Sequence, residues 1–431
     1  MKYLLILLTT LCCGNIAAQD LVINEVMQSN VDGIMDDLND FPDSWVELYN
    51  PTATAVNLKN YKIGTKNKIS KAWQLPDKTV GAGQYVIIYC DKAGEDEGVS
   101  AIHTDFRLET TKESNVYLFK DKDIVDELTL PEQPAPNIAY GRKTDGASEW
   151  GYQLTPTPGE ANTGNICDKD HLLGAPLFSQ EGRVIEGGGT ITVALSIPEG
   201  SPEGTVIRYS VDGSEPINKS PVYSTPFTIS SNKVIRAKLF CKGWLSPRST
   251  CHSYLFFPTN RKLTLPVVSI ITSNKYLTDQ KIGIYVEGNY QSGKKNFEFN
   301  WRRPMNFEYF ETSDNACAFN QLGEARIMGG QSRNSALKSL ALYANKRFGE
   351  KRFAYEFFPD QKPGLKDFKS IMLRNAGNDF DYLYQRDAVM QITMARHADL
   401  DWQAYRPAIV YINGVYRGML NIRERSNEDN I

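Results

Sequence analysis

Over most of this chain apolar and polar residues change places at every second position. That is the period at which a strand turns successive side chains to opposite faces of a sheet. LVINEVM, SWVELYN, YVIIYC and SNVYLFK are short runs of this kind, rich in β-branched and aromatic residues and divided by Asn, Asp, Gly and Pro. In SWVELYN, Val46 and Leu48 face one way while Trp45, Glu47 and Tyr49 face the other. No helix-period segment of useful length intervenes, which predicts an all-β sandwich over residues 20–164. Pro156, Pro158, Gly159 and Gly164 mark a break. Beyond it, TITVALSI alternates Ile191, Val193, Leu195 and Ile197 with small or polar residues, VIRYSVDGSEP runs into an Asp212-Gly213 turn, and KVIRAKLFCKGWLSPRSTCHSYLF supplies two strands around Gly243. These predict a second β-sandwich over 174–258.

From residue 262 the pattern changes. Leu265–Thr272 is a continuous apolar strand, and Asn413-Gly414 between VYI and VYRGML is the strongest hairpin signal in the chain. RDAVMQITMARHADL reads as a helix, with Val389, Ile392, Ala395 and Leu400 near the 3.6 period and Asp387 at the positive end of its dipole. Residues 262–431 are therefore expected to form an α+β domain.

Two charges break the phase here. Lys338 shares a face with Leu340 and Leu342, and Glu424 shares one with Leu420 and Ile422. Burying either alone is costly, and pairing them, or giving each an anionic or metal-bound partner, removes most of the penalty. The plain alternative is a strand end with the charged head in water. We expect Lys338 and Glu424 in one pocket, their charged ends within about 10 Å, beyond which screened charges barely couple. Gly329-Gly330, just before Lys338, leaves room for backbone N–H groups to approach a phosphate, and Arg333 is placed to grip one; ordinary turn and surface roles are the alternatives.

Composition narrows the field. A formal net charge of −3 without a basic cluster gives no reason to expect nucleic acid as a partner. Lys2, the apolar run Leu4–Leu11 and Ile16-Ala17-Ala18 read as an export leader over residues 1–18, with simple export favoured over lipid attachment at Cys12 or Cys13. No other stretch is long and apolar enough for a membrane helix. Of the remaining cysteines, Cys241 and Cys251 flank a hairpin expected near residue 246, which sets them opposite each other as a disulfide or as two buried thiols. Asp36, Asp37, Asn39, Asp40 and Asp43 crowd one loop, where a solvated acidic loop is favoured over a Ca²⁺ site. Trp244 and Tyr223 are open to sugar binding, with core or turn packing preferred. His103, His171, His252 and His397 share no ligand spacing, and no metal site is expected.

Family resemblance adds to this. INEV, DSWVELYNPT, GAGQYVIIY, FRLETTKESNVYLF and TPTPGEAN resemble a lamin tail domain, which implies an immunoglobulin-like sandwich and an interaction role. IRYSVDGSEP, SPVYSTPFTIS and VIRAKLFCKGWLSP are similar to the β-sandwich at the carboxy terminus of chitobiase-like glycosidases, without catalytic carboxylates. LPVVSIIT, NWRRPMNFEYF, GGQSRNSALKSL, LRNAGND, RDA and YRPAIVYINGVYRGMLNIRER resemble the spore-coat-protein-H kinase family. That likeness implies a kinase-like amino-terminal lobe, ATP and Mg²⁺ as cofactors, nucleotide binding through Lys338, Glu424, Arg333, Gly329 and Gly330, and signature residues Arg374, Asn378, Asp379, Arg386 and Asp387. Individually, Arg374, Asn378 and Asp379 are expected to hold a loop through side-chain to backbone bonds. The family's metal-binding aspartates are expected downstream of Gly414–Arg425, where only Glu428 and Asp429 follow. The expectation is an exported protein whose β-modules bind a protein or a surface polysaccharide and whose kinase-like domain does not turn nucleotide over; an active kinase for exported proteins is the alternative.

Overall fold

The computed structural model describes residues 20–93, 100–258, 262–289 and 293–425; the leader, Cys12, Cys13, Glu428 and Asp429 lie outside them. The chain is mostly β. In the first module a seven-stranded sheet runs Ile166–Cys167, Trp150–Gln153, Ala139–Arg142, Val22–Met27, Trp45–Tyr49, Tyr85–Tyr89, Ile102–His103. It packs on a four-stranded sheet of Asp123–Leu130, Ser114–Lys120, Tyr61–Gly64 and Trp73–Gln74. Val46 and Leu48 enter the core between the sheets with Ile23, Ile63 and Leu118, while Trp45 joins a separate cluster with Met27 and Tyr89. Alternation along SWVELYN thus sorts the two faces.

The second module is a four-stranded sheet, Arg183–Ile185, Ser249–Phe256, Lys233–Phe240 and Val206–Ser210, covered by two short strand pairs. Its Asp212-Gly213 turn reaches the third module. Gly213 has φ +83°, and a Cβ there would lie 2.5 Å from the Thr272 carbonyl and 2.6 Å from Asn413 Oδ1, so glycine is required twice over. The expectation for Cys241 and Cys251 is corrected. The last pair of the hairpin is Lys238–Ser249, so the register centres between Gly243 and Trp244; Cys251 stands opposite Arg236, and Cys241 lies in the loop with its thiol near the Glu203 carbonyl. Both are free thiols.

The third module closes on itself. Strands β1 (Val267–Ile271), β2 (Arg303–Phe310), β3 (Cys317–Met328), β4 (Ser339–Tyr343), β5 (Ser370–Arg374), β6 (Tyr405–Ile412) and β7 (Val415–Glu424) form a barrel in the order β1-β2-β3-β4-β5-β7-β6. Only the β1–β6 closure is parallel. Inward residues such as Ile270, Phe307, Leu342, Leu373, Val410 and Ile422 make one core, and Phe353 and Phe357 from the β4–β5 connection pack onto Phe307. Asn413 and Gly414 both take positive φ, the conformation of a two-residue hairpin turn.

The helix forms at Arg386–Ala395, but its apolar stripe is not buried. Val389 and Leu400 are exposed, and of the helix only Ala388 is buried. It is held instead by charge, since Asp387 in its first turn accepts from Arg374 Nε at 3.0 Å and Arg423 Nη1 at 3.1 Å. Among the described residues, no helix is long and apolar enough to cross a membrane.

The modules meet at two unlike junctions. Between the second and third, Val184 and Leu255 share a buried cluster with Leu263, Val267, Phe310 and Tyr411. Ser253 and Ser269 hydroxyls meet at 2.8 Å, and the fully buried Glu308 lies 3.1 Å from His252. The first module is joined to the third by ions. Asp32 pairs with Lys275 at 2.9 Å, Asp40 with Arg303 at 3.1 Å, Asp43 with Arg347 at 3.3 Å, and Glu109 with Lys346 at 2.8 Å. The aspartate-rich loop is therefore solvated only in part: Asp37 is exposed, while its neighbours are tied down. Asp36 accepts from the Leu38 and Asp40 amides, Asp37 from Ser100, and Asp40 and Asp43 from third-module arginines. No group of three or more His, Cys, Asp or Glu suited to a metal occurs among the described residues.

Candidate functional site

Lys338 stands at the mouth of the barrel where β4 begins. The turn Gln331–Asn334 delivers it, and Gly329 starts that turn at φ +112°, with Ser332 Oγ filling the space of a Cβ. The side chain is buried: its ammonium donates to the carbonyls of Arg333 and Ser335 and lies 4.1 Å from the centre of the Phe297 ring. Burial pulls its pKa below the usual lysine range, Glu287 opposes this, and Lys295 adds to it. Arg333 donates from Nη1 to the Glu298 carbonyl at 3.0 Å, and its Nε is buried without a partner.

The signature residues gather at the same mouth, joined to it by Ser339 and Asn375, whose side chains meet at 2.8 Å. Asp379 caps the helix by accepting from the Arg386 amide at 2.8 Å, and its other oxygen meets the Arg386 guanidinium at 3.3 Å. Asn378 is exposed on the turn beside it. Asp379 therefore holds a loop, whereas Arg374 acts through an ion pair with Asp387.

Glu424 is elsewhere. Its carboxylate accepts from Lys362 Nζ at 2.6 Å and from the Ala404 amide at 2.7 Å. Register explains the separation: Glu424 lies opposite Ile371, which lies opposite Leu342, four residues beyond Lys338. Four residues of strand are about 13 Å. The two charges share the inner face at opposite mouths, so the expected shared pocket is corrected. Period 2 fixes the face of a side chain and leaves its position along that face open.

A large concavity lies outside the barrel. A cleft of about 1440 Å³ opens where all three modules meet. The first module contributes Glu132–Ile138, the second Arg208, Glu215–Ile217 and Cys241–Ser249, the third Lys275, Tyr276 and Lys346–Glu350. Trp244 lies in its wall, half-buried, with its ring 4.7 Å from that of His171. Tyr223 packs against Phe227, and its hydroxyl accepts from the Leu195 amide at 2.9 Å, a core role.

One site was missed in the sequence. Glu25 and Glu47 are cross-strand partners with no exposed surface. Glu25 accepts from the amide and hydroxyl of Thr157, and Glu47 from Asn24 Nδ2 at 2.9 Å and the Gly159 amide at 2.6 Å. Burial pushes each carboxyl up to about 7, with the charge of Asp145 adding to it in both and that of Glu25 adding to it in Glu47. The signal was present in the alternation that set Glu47 on the face away from Val46 and Leu48. The segment Thr157–Gly159 covers that face, which a strand pattern does not announce.

Comparison with known families gives one match within each of the three modules. Residues 15–131 match the family model described as Lamin Tail Domain, residues 185–250 the Chitobiase/beta-hexosaminidase C-terminal domain, and residues 325–431 the CotH kinase protein family. No curated protein matches the chain.

Proposed function

We propose that this is an exported binding protein whose ligand site is the cleft between the three modules, with the kinase-family domain serving as one wall. The observation that carries the reading is the size and composition of the cleft. At about 1440 Å³ it exceeds the 300–1,000 Å³ usual for a small-molecule pocket, and every module supplies part of its lining. A site of that size suits an extended polymer or a protein segment. A glycan and peptide array probed with the purified chain tests it: ligands captured by the wild type are expected to be lost when Ile217, exposed on the cleft wall, is replaced in Ile217→Trp. Capture that survives cleft filling would remove the reading. Export itself is checked by sequencing the mature amino terminus, which is expected to begin at Gln19.

Phosphoryl transfer is the second reading, favoured by the family match over residues 325–431. The fit to ATP and Mg²⁺ is partial. Lys338 keeps one N–H beyond the two given to carbonyls, Arg333 Nε has no partner, and the Gly329-Gly330 turn lies beside them, so these groups would hold phosphate. The carboxylates nearby, Asp379 and Asp387, are already held by arginines. Mg²⁺ would supply neutralisation of the charge developing during transfer, and these carboxylates are the ones that would hold it. We expect the purified chain to transfer no phosphate from Mg²⁺-ATP. Transfer that Lys338→Met abolishes would install the kinase reading instead.

A further inference from the structure

We infer that the cleft takes an anionic polysaccharide, one whose sugar rings carry carboxylates; this rests on the cleft being the ligand site. The chain as a whole is acidic, at −3, yet eight basic side chains line the cleft against four acidic ones. Pairing consumes only part of that excess, with Lys346 and Arg347 matched by Glu109 and Asp43 from outside the lining. Glu215 is shared between Arg236 at 2.6 Å and Lys238 at 3.1 Å, and Asp32 is matched by Lys275. Arg208, Lys242 and Arg248 have no carboxylate partner among the described residues, and all three belong to the wall supplied by the second module. Lys242 and Arg248 are exposed, and Arg208 keeps a buried Nε with no acceptor. Three uncompensated cations in one wall raise the local concentration of an anion and reward its binding.

The surfaces between these charges select the kind of anion. Trp244 and Pro247 sit in the same loop as Lys242 and Arg248, and Pro216 and Ile217 continue the wall. An aromatic ring beside guanidinium and ammonium groups offers a flat apolar seat for the C–H face of a pyranose and, next to it, donors for a carboxylate, which arginine takes in bidentate geometry. A neutral glycan would leave the charges unanswered, and a flexible acidic peptide would make little use of the flat seat.

Affinity electrophoresis and calorimetry of the purified chain at low salt test this with three probes: polygalacturonate, dextran and poly-L-glutamate. Polygalacturonate is expected to bind, more weakly as salt rises, with dextran inert and poly-L-glutamate about tenfold weaker or worse, a difference of about 1.4 kcal/mol. The double variant Lys242→Glu, Arg248→Glu changes only exposed heads, so its melting temperature is expected to hold while polygalacturonate affinity drops at least about tenfold. No binding of polygalacturonate, binding indifferent to the double variant, or equal affinity for poly-L-glutamate would each overturn the inference. Dextran binding abolished by Ile217→Trp would also overturn it while leaving the cleft as the ligand site; polygalacturonate binding untouched by Ile217→Trp would remove both.

Discussion

The second module is fused to the barrel and the first is pinned to it. At the fused junction Val184, Leu255, Val267 and Phe310 form one hydrophobic cluster across the module boundary, with Glu308 fully enclosed beside His252. At the pinned junction the contacts are carboxylates on loops meeting lysines and arginines, several of them partly exposed. The difference teaches which joint can open. Apolar burial is not screened by salt and is lost only with the fold, whereas exposed ion pairs are screened and individually weak. Since the cleft has walls from both sides, its width is set by the weaker joint.

The comparison can be broken most forcefully at Phe310. Emptying this fully buried position with Phe310→Ala is expected to cost about 3–5 kcal/mol and to lower unfolding of the second module and the barrel together. Separate transitions in denaturant would mean the joint is not a shared core. The pH response of the first module comes next. Glu25 and Glu47 titrate near pH 7 in the fold, against about 4.3 in an unfolded chain. Between those values the folded state holds more protons on this pair, so the pair's contribution to stability is fullest below about pH 4.3 and is lost as pH rises through about 7. A shift of that size is about 4 kcal/mol for one carboxyl. Melting curves of the first-module transition against pH should show the decline, and Glu47→Gln should flatten it; a first module that grows more stable from pH 5 to 8 would contradict the buried pair.

Smaller effects sharpen the pinned side. Asp40→Ala leaves the buried Arg303 guanidinium without its carboxylate, an expected loss of about 1–3 kcal/mol, seen as faster proteolysis of the loop that carries Asp40 while the barrel stays folded. Smallest is the Lys346–Glu109 pair, both side chains partly exposed, where a double-mutant cycle should return less than about 1 kcal/mol and fade with salt. A coupling that salt does not touch would argue that this junction is as closed as the other.

Much of the fold was legible because strands announce their faces. The alternation of Val46 and Leu48 with Trp45 and Glu47, the Asn413-Gly414 turn and the apolar Leu265–Thr272 run all reappear as expected, since each is a local consequence of side-chain direction and turn conformation. Of the candidate site, the phase of Lys338 and Glu424 with their apolar neighbours was legible, while their partners were not. Antiparallel register sends one to each mouth of the barrel, where Lys338 meets carbonyls of its own turn and Glu424 meets Lys362.

The amino-acid order alone therefore determined which residues turn inward, where the chain turns back, and that two β-rich units precede a third of different pattern. Tertiary structure alone decided that the aspartate loop grips arginines some 260 to 300 residues away, that two glutamates lie buried beneath the Thr157–Gly159 strap, and that a basic-walled cleft opens between modules. The reason is physical. Side-chain direction depends on a few neighbouring torsions, whereas the partner of a charge depends on which distant surfaces the packing of whole modules brings within a few ångströms.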